Sequence, residues 1–232
     1  MILSAVVCPH PPLLFRELTG AEDVAAGLRA ACCEELAAAT SDDPDVVVVV
    51  GGADATGSWD TALPPDVARF GTTGGAFPPA GRRGLPLSLG VAGRLLRETG
   101  WTGPVEMHAI AWDAPGVDVD ALAQDLASRQ ERVLLLVVAD GSARRGEKAP
   151  GHLDERAAGF DDTWVGALAA GDPAVLRGLD AALAAELLAA GRAALAVLGS
   201  AVLTDGRSPQ PHLSLADDPF GVMYAVARWR FG

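Results

Sequence analysis

The stretch Asp45-Val46-Val47-Val48-Val49-Val50-Gly51-Gly52 decides the fold class. Its valines are β-branched and apolar at every position, which is typical of a strand that is buried on both faces. A second unbroken apolar run, Val133 to Val138, has the same character. Strands of this kind lie inside sheets that carry helices on both faces. We therefore predict an α/β protein, a three-layer αβα sandwich with a mostly parallel central sheet, in which these two runs are central strands.

The rest of the chain alternates between strand-like and helix-like segments, which favours the same architecture. Further strands are predicted at Ile2 to Val7, Val105 to Trp112, His212 to Leu215 and Val222 to Arg230. Helices are predicted at Ala21 to Ala39, Leu85 to Thr99, Val119 to Ser128, His152 to Ala169, Pro173 to Ala190 and Ala193 to Leu203. A loop rich in Gly and Pro spans residues 53–84, and loops of this length are usually functional or mobile. No repeat or linker divides the chain, so we predict one domain over residues 1–232.

Charge and cysteine content exclude several classes of protein. The formal net charge is -12, whereas a protein that binds nucleic acid or an anionic membrane needs a basic surface. Three cysteines provide no disulfide framework and no C-x-x-C pair. The N-terminus lacks the pattern of a signal peptide, and the longest aliphatic run is too short to span a bilayer. We therefore expect a cytoplasmic protein with no nucleic acid or membrane partner.

Polar residues follow several predicted strands, at the edge where open α/β sheets bind their ligands. The first strand leads into Cys8-Pro9-His10-Pro11-Pro12, in which prolines fix the backbone around one imidazole. The other strand ends carry Gly51-Gly52-Ala53-Asp54, Asp113-Ala114-Pro115-Gly116 and Asp140-Gly141-Ser142-Ala143, and Asp217-Asp218 precedes the last strand. One imidazole with one or two carboxylates approaches the two-histidine, one-carboxylate set that holds Fe(II), with one histidine missing. Each residue also has a structural interpretation, as a hydrogen-bonded histidine or as an aspartate or serine that caps a turn.

Three motifs in this order resemble the class III extradiol ring-cleavage dioxygenase superfamily. They are Pro9-His10-Pro11-Pro12-Leu13-Leu14, Asp140-Gly141-Ser142, and Pro219-Phe220-Gly221-Val222-Met223-Tyr224. The resemblance implies an αβα sandwich, Fe(II) bound by two histidines and a glutamate, and opening of a small aromatic diol next to its hydroxyl groups. It also implies that His10 matches the first ligand histidine of the family.

The chain departs from this family pattern at the other catalytic positions. Where the resemblance places a second ligand histidine, the chain has Gly51-Gly52-Ala53-Asp54. Where it places the acid/base histidine, the chain has Ala143 after Ser142, and alanine cannot transfer a proton. General acid/base catalysis typically contributes 10²- to 10⁴-fold to a rate. The resemblance therefore implies a divergent member with an incomplete catalytic set.

We accordingly predict a divergent extradiol dioxygenase-like protein, a homodimer, that takes a small aromatic molecule. Its candidate ligands for Fe(II) or another divalent metal are His10, Asp54 and Asp218, and its candidate catalytic residues are Asp140 and Ser142. Two alternatives stay open: a non-catalytic binding protein on the same fold, and a metal-dependent hydrolase that uses the same three metal ligands. Core packing is the simpler prediction for the aromatic residues that could line a pocket, which are Trp59, Trp112 and Tyr224. The other histidines, His108, His152 and His212, are interpreted as structural or surface residues.

Overall fold

The computed structural model describes residues 1–67, 70–71 and 84–232. These residues form a seven-stranded sheet with helices on both faces, which confirms the predicted α/β sandwich. The strands are β1 (Ile2–Cys8), β2 (Val46–Ala53), β3 (Gly57–Trp59), β4 (Val105–Ala111), β5 (Val133–Val138), β6 (Gln210–Asp217) and β7 (Tyr224–Arg230). The α-helices are α1 (Ala26–Thr40), α2 (Leu87–Glu98), α3 (Gly116–Ser128), α4 (Arg156–Ala170), α5 (Pro173–Arg177), α6 (Ala181–Glu186) and α7 (Arg192–Asp205). Two short 3₁₀ turns, Pro12–Leu14 and Arg16–Leu18, follow β1.

The sheet is mixed, so the prediction of a mostly parallel sheet was wrong. Its strand order is β3-β4-β2-β5-β1-β7-β6, and only β4, β2, β5 and β1 pair in parallel. The short β3 folds back antiparallel on β4, and β7 runs antiparallel to both β1 and β6. For β6 and β7 the reason is connection length, because a parallel pair needs a crossover of a dozen or more residues. The short link between β6 and β7 permits only a hairpin.

The two valine-rich and leucine-rich runs are central strands, as predicted. Alternate side chains of β2 enter opposite cores: Val46, Val48 and Val50 pack on one face, while Val47 and Val49 pack on the other. The same alternation holds along β5. Helices α3 to α7 cover the first face, and α1 and α2 cover the second. Burial on both faces therefore explains why neither strand carries a polar residue.

The predicted helix over Pro173 to Ala190 is divided in two. Asp172 caps α5 and Asp180 caps α6, each by accepting two backbone N–H groups of the helix that follows it. Because a capping aspartate at Asp180 begins a new helix, the alanine-rich stretch does not continue the previous one. The predicted loop over residues 53–84 contains β3, and its residues 68–69 and 72–83 lie outside the described part of the chain.

No helix in the described ranges is both long enough and apolar enough to cross a membrane.

Candidate functional site

A cavity of about 640 Å³ lies at the carboxyl ends of the parallel strands. This is the edge at which the sequence predicted a ligand site. It is lined by the end of β2, by residues that follow β1, β4 and β5, and by parts of β3, of the start of α2 and of the segments before α2 and α7: His10, Pro12, residues 52–55, Trp59, Asp66, Gly84, residues 86–88, Trp112, Asp140 and Ala190. The structure therefore brings three predicted site residues, His10, Asp54 and Asp140, to one cavity.

His10 and Asp140 form the floor of this cavity, because they follow the neighbouring strands β1 and β5. The backbone N–H of His10 donates a hydrogen bond of 2.7 Å to Oδ1 of Asp140. The imidazole Nδ1 lies 3.4 Å from the same oxygen, outside hydrogen-bond geometry, and is buried without another hydrogen-bond partner among the described residues. Burial raises the pKa of Asp140, while the positive charge and the N–H group of His10 act in the opposite direction. The cavity floor thus carries a carboxyl that is protonated more readily than an exposed one.

Tyr224 lies at the start of β7, within range of the charge on Asp140. Its side chain is buried, and burial together with the negative charge of Asp140 raises the pKa of its hydroxyl. The phenol therefore stays neutral at physiological pH.

Trp112 connects the two sides of the cavity. Its indole stacks on His10, with ring centroids 6.3 Å apart and ring planes at 10°. Its Nε1 donates a hydrogen bond of 3.2 Å to Oδ1 of Asp54. The ring lies over the end of β2 because Gly52 has no side chain there, and a Cβ at Gly52 would overlap the indole. One side chain thus contacts both His10 and Asp54.

Backbone contacts fix Trp112 in this position. Its N–H donates to the carbonyl of Ala53 at 3.1 Å, and its carbonyl accepts from a guanidinium N–H of Arg192 at 3.0 Å. Arg192 begins α7 and is itself buried. On the opposite wall, Ser88 donates a 2.7 Å hydrogen bond to the carbonyl of Gly52. The end of β2 and the indole are therefore anchored to helices on both faces of the sheet.

Ser142, a predicted catalytic residue, is not among the cavity residues. Its hydroxyl is fully buried and donates to Oδ2 of Asp161 at 2.5 Å, while its N–H donates to Oδ1 of Asp161 at 2.9 Å. Trp164 Nε1 donates to the same oxygen at 3.0 Å. Ser142 therefore holds the turn after β5 against α4.

Asp218, a predicted metal ligand, is also outside the cavity. It follows β6 at the margin of the sheet, and Nε of Arg145 donates to its carboxylate at 2.7 Å. Asp218 is therefore held in an ion pair at the margin of the sheet, two strands from β1, and does not line the cavity with His10.

The described residues do not form a metal site. Nowhere in residues 1–67, 70–71 and 84–232 do three His, Cys, Asp or Glu side chains come together so that they could hold an ion. The predicted ligands His10, Asp54 and Asp218 do not come together as such a set: Asp54 accepts a hydrogen bond from Trp112, and Asp218 is paired with Arg145. The residues present thus do not fit Fe(II).

Two of the other histidines, His108 and His212, lie in structural contacts. His108 contacts Ser58 and Glu106 on the outer strands. His212 lies 2.9 Å from the buried carboxylate of Glu35, which also binds Arg228. Neither is among the residues that line the cavity.

Sequence reasoning underestimated Trp112 and missed Asp161. Core packing is the sequence-based prediction for Trp112, although its place directly after a strand is the signal for a cavity residue. Asp161 lies within a predicted helix and gives no signal of its own, because its role depends on the loop that packs against it.

Comparison with known proteins adds a fold neighbour. No family model matches the chain, and no curated protein matches it. Among solved structures, it is similar to the crystal structure of the uncharacterized protein JW3007 from Escherichia coli K12. The TM-score is 0.54 and the sequence identity 15%, over 98% of this chain and 99% of that one. At this identity the similarity shows a shared fold alone.

Proposed function

We propose that this chain is a divergent relative of the class III extradiol dioxygenase superfamily whose cavity binds a small aromatic molecule without iron. The family part of this proposal is supported by the places of the three motifs. Pro9 to Leu14 leads from β1 into the cavity, Asp140 lies on its floor, and the third motif ends at Tyr224 near that floor.

The contact of Trp112 with both His10 and Asp54 carries the proposal. The indole covers one face of the His10 ring and takes up one carboxylate oxygen of Asp54, so the two side chains are joined by an aromatic ring. An aromatic ring is, in turn, a good surface for another ring, because offset stacking adds about 0.5–1.5 kcal/mol to the burial of apolar area. A cavity in which an indole, and not a metal, links His10 and Asp54 therefore favours binding of an aromatic ligand over its oxidation.

The polar groups of the cavity suit hydroxyl substituents on such a ring. Asp54 and Asp140 offer carboxylate oxygens that accept hydrogen bonds, and the buried imidazole of His10 retains an unpaired nitrogen. Because unpaired buried polar groups are unfavourable, a ligand hydroxyl that pairs with one gains affinity. Asp140 and His10 then orient the ligand.

The metal-dependent hydrolase has less support. It requires Asp218 beside His10, and Asp218 is paired with Arg145 two strands away. We therefore retain the binding protein as the proposed function.

Titration of catechol and protocatechuate into the protein by calorimetry tests the proposal, once with a chelator and once with Fe(II) under anaerobic conditions. We expect catechol to bind equally in both cases, and oxygen to yield no yellow ring-fission product. Trp112→Ala should weaken binding up to about tenfold, the equivalent of the stacking energy at 1.4 kcal/mol per decade. Trp101→Ala is the matched control, because Trp101 bonds to Pro104 and does not line the cavity.

Two results would contradict the proposed function. Iron that stays bound at one equivalent after dialysis, together with ring fission, would restore the ordinary dioxygenase. Absence of binding by catechol, protocatechuate and a panel of simple phenols would refute the aromatic-ligand proposal.

A further inference from the structure

A second cavity of about 550 Å³ adjoins the first. It is lined by Trp112, Asp113, Leu188 and the alanines of α6 and the loop that follows it. Trp112 and Ala190 line both cavities, so the two meet at these residues. Both volumes lie within the range of about 300–1,000 Å³ that is usual for ligand pockets.

The second cavity, here called the alanine groove, is almost entirely apolar. Ala181, Ala182 and Ala185 lie on the exposed side of α6, which begins at the Asp180 cap. Alanine side chains are short, so a helix face made of them leaves a depression where larger residues would fill it. Asp113 is the one charged residue among those that line the groove.

Leu188 forms one wall of the groove in an unusual conformation. Its φ is +56°, a left-handed value that is rare for a residue with a bulky side chain, and the side chain is 47% exposed. Such strain and exposure are together unfavourable, and strained residues cluster at ligand sites. The conformation keeps an apolar side chain at the groove instead of in the core.

We propose that the alanine groove holds an apolar substituent of the same ligand whose ring lies in the His10 cavity. This inference rests on the proposed function and deepens it, because it assigns the ligand to the class of aromatic compounds that carry an alkyl chain. The ring stacks on Trp112 beside His10 and Asp140, and the chain passes the indole along Ala190 into the groove. Trp112 thus serves both halves of one site.

Binding of a series of 4-alkylcatechols, from catechol to 4-butylcatechol, tests the inference by calorimetry in the presence of a chelator. Each methylene group that leaves water for an apolar surface contributes up to about 0.8 kcal/mol. We expect Kd to fall about two- to fourfold per methylene, since 1.4 kcal/mol corresponds to a factor of ten. Ala185→Glu places a carboxylate in the groove and should abolish this dependence on chain length.

Ala158→Glu is the matched control. It makes the same change at an exposed alanine of α4 that lines neither cavity, and it should preserve the dependence on chain length. Retention of that dependence in Ala185→Glu would place the chain elsewhere and overturn the inference.

The remaining outcomes separate the two proposals. Equal affinity for catechol and 4-butylcatechol would overturn the groove assignment and leave the ring site intact. Binding of 4-butylcatechol that requires Ala185, without detectable binding of catechol, would support the groove and refute the ring site. Absence of binding across the whole series would refute both.

Discussion

Replacement of Asp161 by alanine should destabilise the fold strongly, although this residue touches no ligand. Its carboxylate accepts hydrogen bonds from three buried donors, the N–H and hydroxyl of Ser142 and the indole N–H of Trp164, at 2.9, 2.5 and 3.0 Å. A buried donor without a partner costs about 1–3 kcal/mol. We expect Asp161→Ala to lower the free energy of unfolding by about 3–6 kcal/mol, because water admitted to the site replaces part of what is lost. That is a large share of the roughly 5–15 kcal/mol typical of a folded protein.

Two companion variants show which interaction is responsible. Asp161→Asn should cost only about 1 kcal/mol, since its amide oxygen can replace Oδ1 and its NH₂ group can donate to the hydroxyl of Ser142. Ser142→Ala removes a single hydrogen bond and should also cost about 1 kcal/mol, but almost nothing further in the Asp161→Ala background.

Urea unfolding followed by circular dichroism gives these free energies, and catechol titration of each folded variant gives its affinity. The reasoning fails if Asp161→Ala costs less than about 1 kcal/mol, which is below one lost hydrogen bond. It also fails if Ser142→Ala keeps the stability of the wild type and loses catechol binding, because Ser142 would then be a residue of the ligand site, as the sequence predicted.

Three further predictions concern the cavity and the thiols. Asp140→Asn should be more stable than the wild type at pH 7, and the difference should shrink towards pH 4. Burial raises the pKa of Asp140 above its unfolded value, so the wild type loses stability as pH rises from the unfolded to the folded pKa, whereas an amide does not titrate. Urea unfolding across pH measures this difference, and equal pH profiles of the two proteins would contradict the prediction. Gly52→Ala should weaken catechol binding, because its Cβ displaces Trp112, whereas Gly57→Ala, with open space around its Cβ, should bind as the wild type does in the same titration. Burial raises the pKa of Cys33 to about 11, so little of the reactive thiolate is present at pH 8. Iodoacetamide should therefore alkylate Cys33 on the order of a hundredfold more slowly in the folded than in the unfolded protein. Mass spectrometry measures both rates, and similar rates in the two states would refute the prediction.

The central strands could be predicted from sequence because their signal is local and redundant. Each position from Val46 to Val50 is apolar, and only burial on both faces accounts for that pattern. Strand direction is different, since it depends on how the chain returns to the sheet. The short β3 lies within a loop rich in Gly and Pro, which hides it in the sequence. The sequence shows β7 as a strand, but it does not show which strands pair with β7 or that they pair antiparallel.

The candidate site was predictable where a residue directly follows a parallel strand. His10 and Asp140 follow adjacent strands, so the rule that places ligands at carboxyl ends brings them together. The same rule was insufficient for Asp218. The rule identifies the edge of the sheet on which a residue lies, but not how far along that edge the residue lies from His10. Ser142 lies outside the cavity for a related reason: two residues beyond β5, the direction of a side chain depends on α4, which no local pattern reveals.

The contacts that build this cavity depend on one another physically. The indole of Trp112 can reach His10 only because Gly52 leaves the end of β2 bare, and its N–H finds an acceptor only because Asp54 stands beyond that glycine. A histidine at Gly52 would collide with the indole, whereas a histidine at Asp54 would remove the carboxylate that binds it. Substitutions at these three positions should therefore not be additive, as expected of residues packed in one unit. This interdependence is the structural argument for a cavity built around aromatic stacking.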